Sequence, residues 1–165
     1  MKQKKVYMLA GIPGAGKSSW CRARMALGCE WISRDKVRFS ILDKTDAYFA
    51  KEDDVFDTFI NYINQTLENE NIHTIFIDAT HITQKSRNKV LRRIHHKENI
   101  SELNCVYFDV PVEVCHSRNN LRAGRAKVPA SVIDHMAFDF QIPNKNFEKF
   151  DHIFVVDENG DTKEV

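Results

Sequence analysis

Gly11-Ile12-Pro13-Gly14-Ala15-Gly16-Lys17-Ser18 is the stretch on which the fold turns. The apolar run Val6 to Ala10 precedes it and a helical pattern, Lys17 to Leu27, follows. Gly-x-x-x-x-Gly-Lys-Ser between a strand and a helix is the phosphate-binding-loop pattern in the context it needs. The glycines let backbone N–H groups turn inward around phosphates. Lys17 brings a positive charge to the β- and γ-phosphates, Ser18 offers a hydroxyl to Mg2+, and the helix N-terminus adds its dipole. Gly14, Ala15, Gly16, Lys17, Ser18 and Ser19 are therefore the nucleotide-binding candidates, with Ser18 the metal ligand. A glycine turn without a ligand is the alternative, and it leaves the Lys-Ser pair unexplained.

Outward from the loop, apolar runs alternate with helical patterns. Further strands are expected at Cys29 to Ser33, Thr74 to Asp78, Leu103 to Val110 and His152 to Val156. Their continuous apolar character suits strands buried on both faces of a parallel sheet. Helices are expected over Asp53 to Glu70, Gln84 to Lys97, Pro111 to Leu121 and Ser131 to Phe140. Val55, Phe56, Phe59, Ile60, Ile63 and Leu67 share one face of the first of these. Pro111 reads as a first helical residue. The sequence thus predicts an α/β fold: a three-layer P-loop NTPase domain, with a five-stranded parallel sheet flanked by helices and right-handed crossovers. Glu158-Asn159-Gly160-Asp161 reads as a turn, with a small terminal hairpin as one option.

The length of 165 residues fits a single domain spanning 1–165. The net charge of +1 provides no global basic field, so a polyanion would need a local cluster of Lys and Arg. The basic start Met1-Lys2-Gln3-Lys4-Lys5 is followed by too short an apolar stretch for a signal peptide. No run reaches the length of a membrane span. A cytoplasmic location without membrane association is expected. Cys21, Cys29, Cys105 and Cys115 form no CxxC pair, which argues for buried, reduced thiols over zinc or redox chemistry.

A phosphate-binding loop serves switches, motors and kinases alike. Asn144-Lys145-Asn146-Phe147 lacks the Asp that would complete a guanine-reading Asn-Lys-x-Asp. Asp78 is followed by Ala79 rather than by the carboxylate that activates water in many ATPases. Both features favour a kinase. Asp35, just past the second strand in Ser33-Arg34-Asp35, is placed to orient and deprotonate an attacking hydroxyl, because strand carboxyl ends face the ligand crevice. The competing role for Asp35 is that of a helix N-cap. Arg38, one helical turn on, could clamp an anionic acceptor. Asp78 ends the third strand and could support Mg2+, Arg38 or the acceptor. His81 reads as a surface or supporting residue, and His95-His96 as part of a basic helix facing solvent.

Arg118-Asn119-Asn120-Leu121-Arg122-Ala123-Gly124-Arg125-Ala126-Lys127-Val128-Pro129 is dense in positive charge and broken by Gly124 and Pro129. It reads as a lid whose Arg122 and Arg125 could stabilise charge on a transferring phosphoryl group. A solvated basic helix end is the competing reading.

These motifs, in this order over nearly the whole chain, resemble the kinase domain of phage 5′-polynucleotide kinases. The resemblance implies ATP as phosphoryl donor, Mg2+ as cofactor and a nucleic acid 5′-hydroxyl end as acceptor, DNA or RNA. It implies Asp35 as general base, Lys17, Arg122 and Arg125 as catalytic cations, Arg122 also toward the nucleotide, and Arg38 and Asp78 toward the acceptor. A P-loop kinase of a nucleoside, sugar or antibiotic is the alternative, and a non-catalytic nucleotide-binding module a third.

Overall fold

Alternation along β1 (Lys4–Ala10) decides how the layers assemble. Val6, Met8 and Ala10 enter one apolar cluster and Leu9 and Tyr7 the opposite one. The same split recurs in β3 (Thr74–Asp78), where Ile75 and Ile77 face one side and Phe76 the other. In the computed structural model, which describes residues 3–165, both faces of the central strands are covered. Met1 and Lys2 of the basic start lie outside the described residues.

The sheet has six strands in the order β2-β3-β1-β4-β5-β6, with β2 at Cys29–Ser33, β4 at Ile100–Phe108, β5 at His152–Val156 and β6 at Thr162–Glu164. β2, β3, β1, β4 and β5 pair in parallel. β6 runs antiparallel to β5, so the expected five-stranded parallel sheet becomes a mixed one. The added strand follows from the turn after β5, where Gly160 takes φ 83 and its N–H donates to Asp157 O.

On one face lie α2 (Arg34–Ile41), α3 (Glu52–Glu68) and α4 (Gln84–Leu91). On the other lie α1 (Lys17–Arg24), α5 (Val112–Asn120) and α6 (Ala130–Asp139). α3 buries the predicted stripe, and each of those large apolar side chains contributes about 1.5–3 kcal/mol when removed from water. Glu52, Asp53 and Asp54 in its first turn complement the helix dipole.

Differences from expectation have local causes. α4 stops at Leu91 rather than Lys97, because Asn64 on α3 takes up the backbone there. Asn64 Nδ2 donates to Arg93 O at 3.1 Å and Asn64 Oδ1 accepts from His95 N at 2.8 Å. His95 and His96 are exposed but lie outside the helix, His96 with a left-handed φ of 55. β4 begins at Ile100 rather than Leu103, drawn in by pairing with Lys4. Pro111 caps α5 instead of opening it, since its ψ of 137 is extended. Among the described residues, no helix is long and apolar enough to cross a membrane. Cys21, Cys105 and Cys115 are buried and Cys29 half-buried, and all four are free thiols. Burial holds the Cys105 thiol up at about 12.

Candidate active site

The phosphate loop leaves β1 in the middle of the sheet and turns into α1. Its start is strapped to the end of β3, with Gly11 N donating to Thr80 O at 2.9 Å. Behind it, His81 Nδ1–H donates to Leu9 O at 2.5 Å. His81 is only 3% exposed, so it is a buried support of the loop rather than a surface residue. Gly14 and Gly16 take φ 83 and φ 100, which side chains rarely adopt. Lys17 Nζ donates to Gly11 O and Ile12 O at 2.8 and 2.9 Å, holding its ammonium in the bowl of the loop. Burial lowers the Lys17 pKa, and the charges of Asp78 and Asp35 oppose that shift. Ser18 and Ser19 are exposed at the start of α1 and line the cleft.

Ser33 and Asp78 pair at the carboxyl ends of β2 and β3. Asp78 is buried, and Trp31 Nε1 donates to its Oδ2 at 2.9 Å. Burial raises the Asp78 pKa, while Lys17 and the Trp31 N–H pull it back. The cap of α2 is Ser33, whose Oγ accepts from Lys36 N at 3.3 Å, so the N-cap role open to Asp35 falls to the serine two residues before it. Asp35 sits one step inside the helix with its side chain 59% exposed. Arg38 Nη1 donates to Asp35 Oδ1 at 2.5 Å and to Tyr48 Oη at 2.8 Å. Tyr48 Oη donates to the same Asp35 oxygen at 2.5 Å. Arg38 Nη2 lies 2.9 Å from each carboxylate oxygen of Glu52, and Arg34 Nη2 donates to Glu52 Oε1 at 2.5 Å. Arg38 borders the cleft, but its guanidinium grips Asp35 and Glu52 rather than standing free for an acceptor anion.

The arginine-rich segment expected as a lid runs from α5 to α6. Asn119 fixes its return, with Nδ2 donating to Val128 O at 2.7 Å and Oδ1 accepting from Val128 N at 2.9 Å. Arg125 reaches across the cleft, donating to Asp43 O at 2.9 Å and stacking 5.2 Å above Phe39. Arg122 is exposed, and its charge is felt by Lys17. Arg118 bridges the phosphate loop to the turn after β5, donating to Gly14 O at 3.3 Å and Glu158 O at 2.8 Å.

These parts enclose one cleft of about 960 Å³. It brings together every candidate from the sequence: Gly14, Ala15, Gly16, Lys17, Ser18, Ser19, Asp35, Arg38, Asp78, Arg122 and Arg125. It also holds Arg118, which opens the basic segment of the sequence but is given no role by it, and Tyr48, Phe49 and Glu52, which motif spacing does not single out. Among the described residues, no three His, Cys, Asp or Glu side chains cluster as a metal cage. The Ser18 hydroxyl and nearby carboxylates instead suit a hard cation that also takes phosphate oxygens.

The profile of a family described as "AAA domain" matches residues 6–143. No curated protein matches the chain. Among solved structures, a chain of the Pnkp1/Rnl/Hen1 RNA repair complex is similar at TM-score 0.69 and 21% identity, over 91% of this chain and 48% of that one. A fungal RNA kinase is similar at TM-score 0.65 and 13% identity, covering 94% of this chain and 75% of that one. A sugar kinase from Janibacter sp. HTCC2649 is similar at TM-score 0.62 and 15% identity, covering 94% and 86%. This chain therefore spans about half of the repair-complex chain. At these identities the likeness is one of fold.

Proposed function

The chain belongs to the AAA domain family, and on that premise we propose that it is a kinase that transfers the γ-phosphate of ATP to the 5′-hydroxyl end of a polynucleotide. The observation that carries the reading is Asp35. A half-exposed carboxylate shares one cleft with the phosphate loop, and its charge reaches Lys17. The acceptor hydroxyl oxygen attacks the γ-phosphorus in line, its proton passes to Asp35, and the bond to the β-phosphate breaks to release ADP. Lys17 and Arg122 balance the charge of the phosphates, and Arg125 holds the lid across the cleft. The left-handed glycines and the inward-turned Lys17 fit a triphosphate, and Ser18, backed by Asp78, would hold Mg2+. When bound, that ion neutralises phosphate charge and orients the donor.

The acceptor half of the cleft favours a nucleic acid. Phe49, 57% exposed, offers an aromatic face, and Arg125 and Lys127 offer cations near the mouth. Aromatic faces beside cations suit a base and its phosphodiester. The sugar-kinase likeness and the near-neutral charge support a small-molecule acceptor as the second reading. Labelled ATP offered with 5′-hydroxyl DNA, 5′-hydroxyl RNA and a panel of sugars separates the two. Label in a 5′-phosphomonoester is expected, and label appearing only in a sugar would overturn the acceptor assignment.

A further inference from the structure

Tyr48 lies in the segment between α2 and α3, ten residues or more from each helical partner that it meets in the site except Phe39. Its ring is packed edge-on by Phe39 at 6.1 Å and by Phe49 at 4.6 Å, and the Arg38 guanidinium covers it at 4.1 Å. A salt bridge from Lys51 to Asp46 at 3.2 Å and the bond from Ala50 N to Ala47 O at 3.0 Å shape the segment that carries it. The phenol is thus held on several sides, and its oxygen has a defined task. Arg38 Nη1, Tyr48 Oη and Asp35 Oδ1 form a closed triangle with edges of 2.8, 2.5 and 2.5 Å.

Two donors converge on one carboxylate oxygen. Among the described residues, no hydrogen bond reaches the other oxygen, Asp35 Oδ2. Resting on the reading of Asp35 as general base, we propose that Tyr48 is a positioning residue: with Arg38 it fixes Asp35 by Oδ1 and leaves Oδ2 to take the acceptor's proton. A half-exposed carboxylate on the first turn of a helix would otherwise rotate about its side-chain torsions. The geometry of attack tolerates little of that, since a displacement of about 1 Å can cost about 100-fold in rate. Burial and the Asp35 charge raise the Tyr48 pKa, so the phenol keeps its proton and remains a donor. Glu52 completes the device from the far side by holding Arg38 in place.

The transfer step balances without Tyr48 changing state. The acceptor O–H breaks, its oxygen bonds to the γ-phosphorus, the proton moves to Asp35 Oδ2, and ADP carries away the electrons of the broken P–O bond. Tyr48 donates to Oδ1 before and after.

Tyr48→Phe removes the hydroxyl and keeps the ring. It is expected to lower kcat by about 10- to 100-fold. KM for ATP and for the acceptor, ADP affinity by calorimetry, and the thermal midpoint should stay at their wild-type values. Tyr48→Leu, which also removes the ring, should lower kcat further and soften the thermal midpoint. An unchanged kcat in Tyr48→Phe, beside an inactive Asp35→Asn, would overturn the role of Tyr48. A Tyr48→Phe loss that appears equally in the acceptor KM or in the thermal midpoint would also overturn it, by making Tyr48 a structural prop of the loop. Turnover surviving in Asp35→Asn would instead sink the underlying assignment of the base.

Discussion

A Cβ placed on Gly14 would lie 2.5 Å from the carbonyl oxygen of Cys115. The phosphate loop is therefore built against the backbone of α5, at a distance that only glycine permits. Gly14 also takes φ 83, so an added methyl meets steric conflict and torsional strain together.

Gly14→Ala is expected to distort the loop and lower ADP affinity by about 100-fold, measured by calorimetry. Gly124→Ala is the internal control. Its φ is 60 but nothing lies within 4 Å, so the cost is torsional strain alone, about 1 kcal/mol of folding stability read as a small drop in the thermal midpoint, with nucleotide affinity retained. Equal affinities in Gly14→Ala and wild type would show that the loop does not need this close approach.

Arg118 couples the same loop to the turn after β5 through Gly14 O and Glu158 O. Removing both charge-assisted bonds in Arg118→Ala should weaken nucleotide binding by about 10- to 100-fold, the equivalent of about 1–3 kcal/mol. The KM of the acceptor should be unaffected, because Arg118 meets the phosphate loop and the turn after β5, while Asp35, the proposed base, stands at the start of α2. Steady-state kinetics with each substrate varied in turn decides this, and an acceptor KM that rises in step would contradict the division of the cleft.

The boundaries of β3 and β5 are legible in the sequence because each is a short apolar run whose ends coincide with a change of polarity, whereas β2, with Glu30 inside it, is placed only approximately. The phosphate loop is legible because its chemistry is contiguous. The environment of Asp35 is not. Tyr48 and Glu52 reach Arg38 from 10 and 14 residues away, across a segment with no periodic signal. The end of α4 escapes notice for a related reason, since the partner that stops it is Asn64 on another helix. His81 resembles a surface histidine because it is a polar residue in a short connection between β3 and α4, and only the packing behind β1 shows it buried.

Arg87 and Glu148 form a pair with side chains 0% and 2% exposed, Nε to Oε1 at 2.7 Å. Arg87 also donates to His81 O at 2.8 Å, so it steadies the strap behind the phosphate loop. Glu148→Gln keeps the shape but leaves a buried guanidinium without its counter-ion. A loss of about 3 kcal/mol in urea unfolding is expected. Arg87→Met added to that variant should restore part of the loss, since it removes the unpaired charge. A double variant less stable than Glu148→Gln alone would show that the pair acts mainly through the Arg87–His81 bond.

His81 links the loop to pH. Burial, with Arg34, Arg87 and Lys17 acting in the same direction, pushes its pKa down to about 3 from the ordinary 6.5. The folded protein keeps His81 neutral through a range in which the unfolded chain binds a proton there. Stability from this group is therefore full above pH 6.5 and is lost as pH falls toward about 3. The slope contributed is at most about 1.4 kcal/mol per pH unit. Asn is a suitable replacement, because it does not titrate, can donate to Leu9 O and tolerates the left-handed φ of 43. Urea midpoints of wild type and His81→Asn, measured between about pH 4 and pH 7, should diverge from each other toward acid, with the shallower slope in the variant. Parallel slopes would mean that His81 takes up its proton without unfolding the strap that covers it.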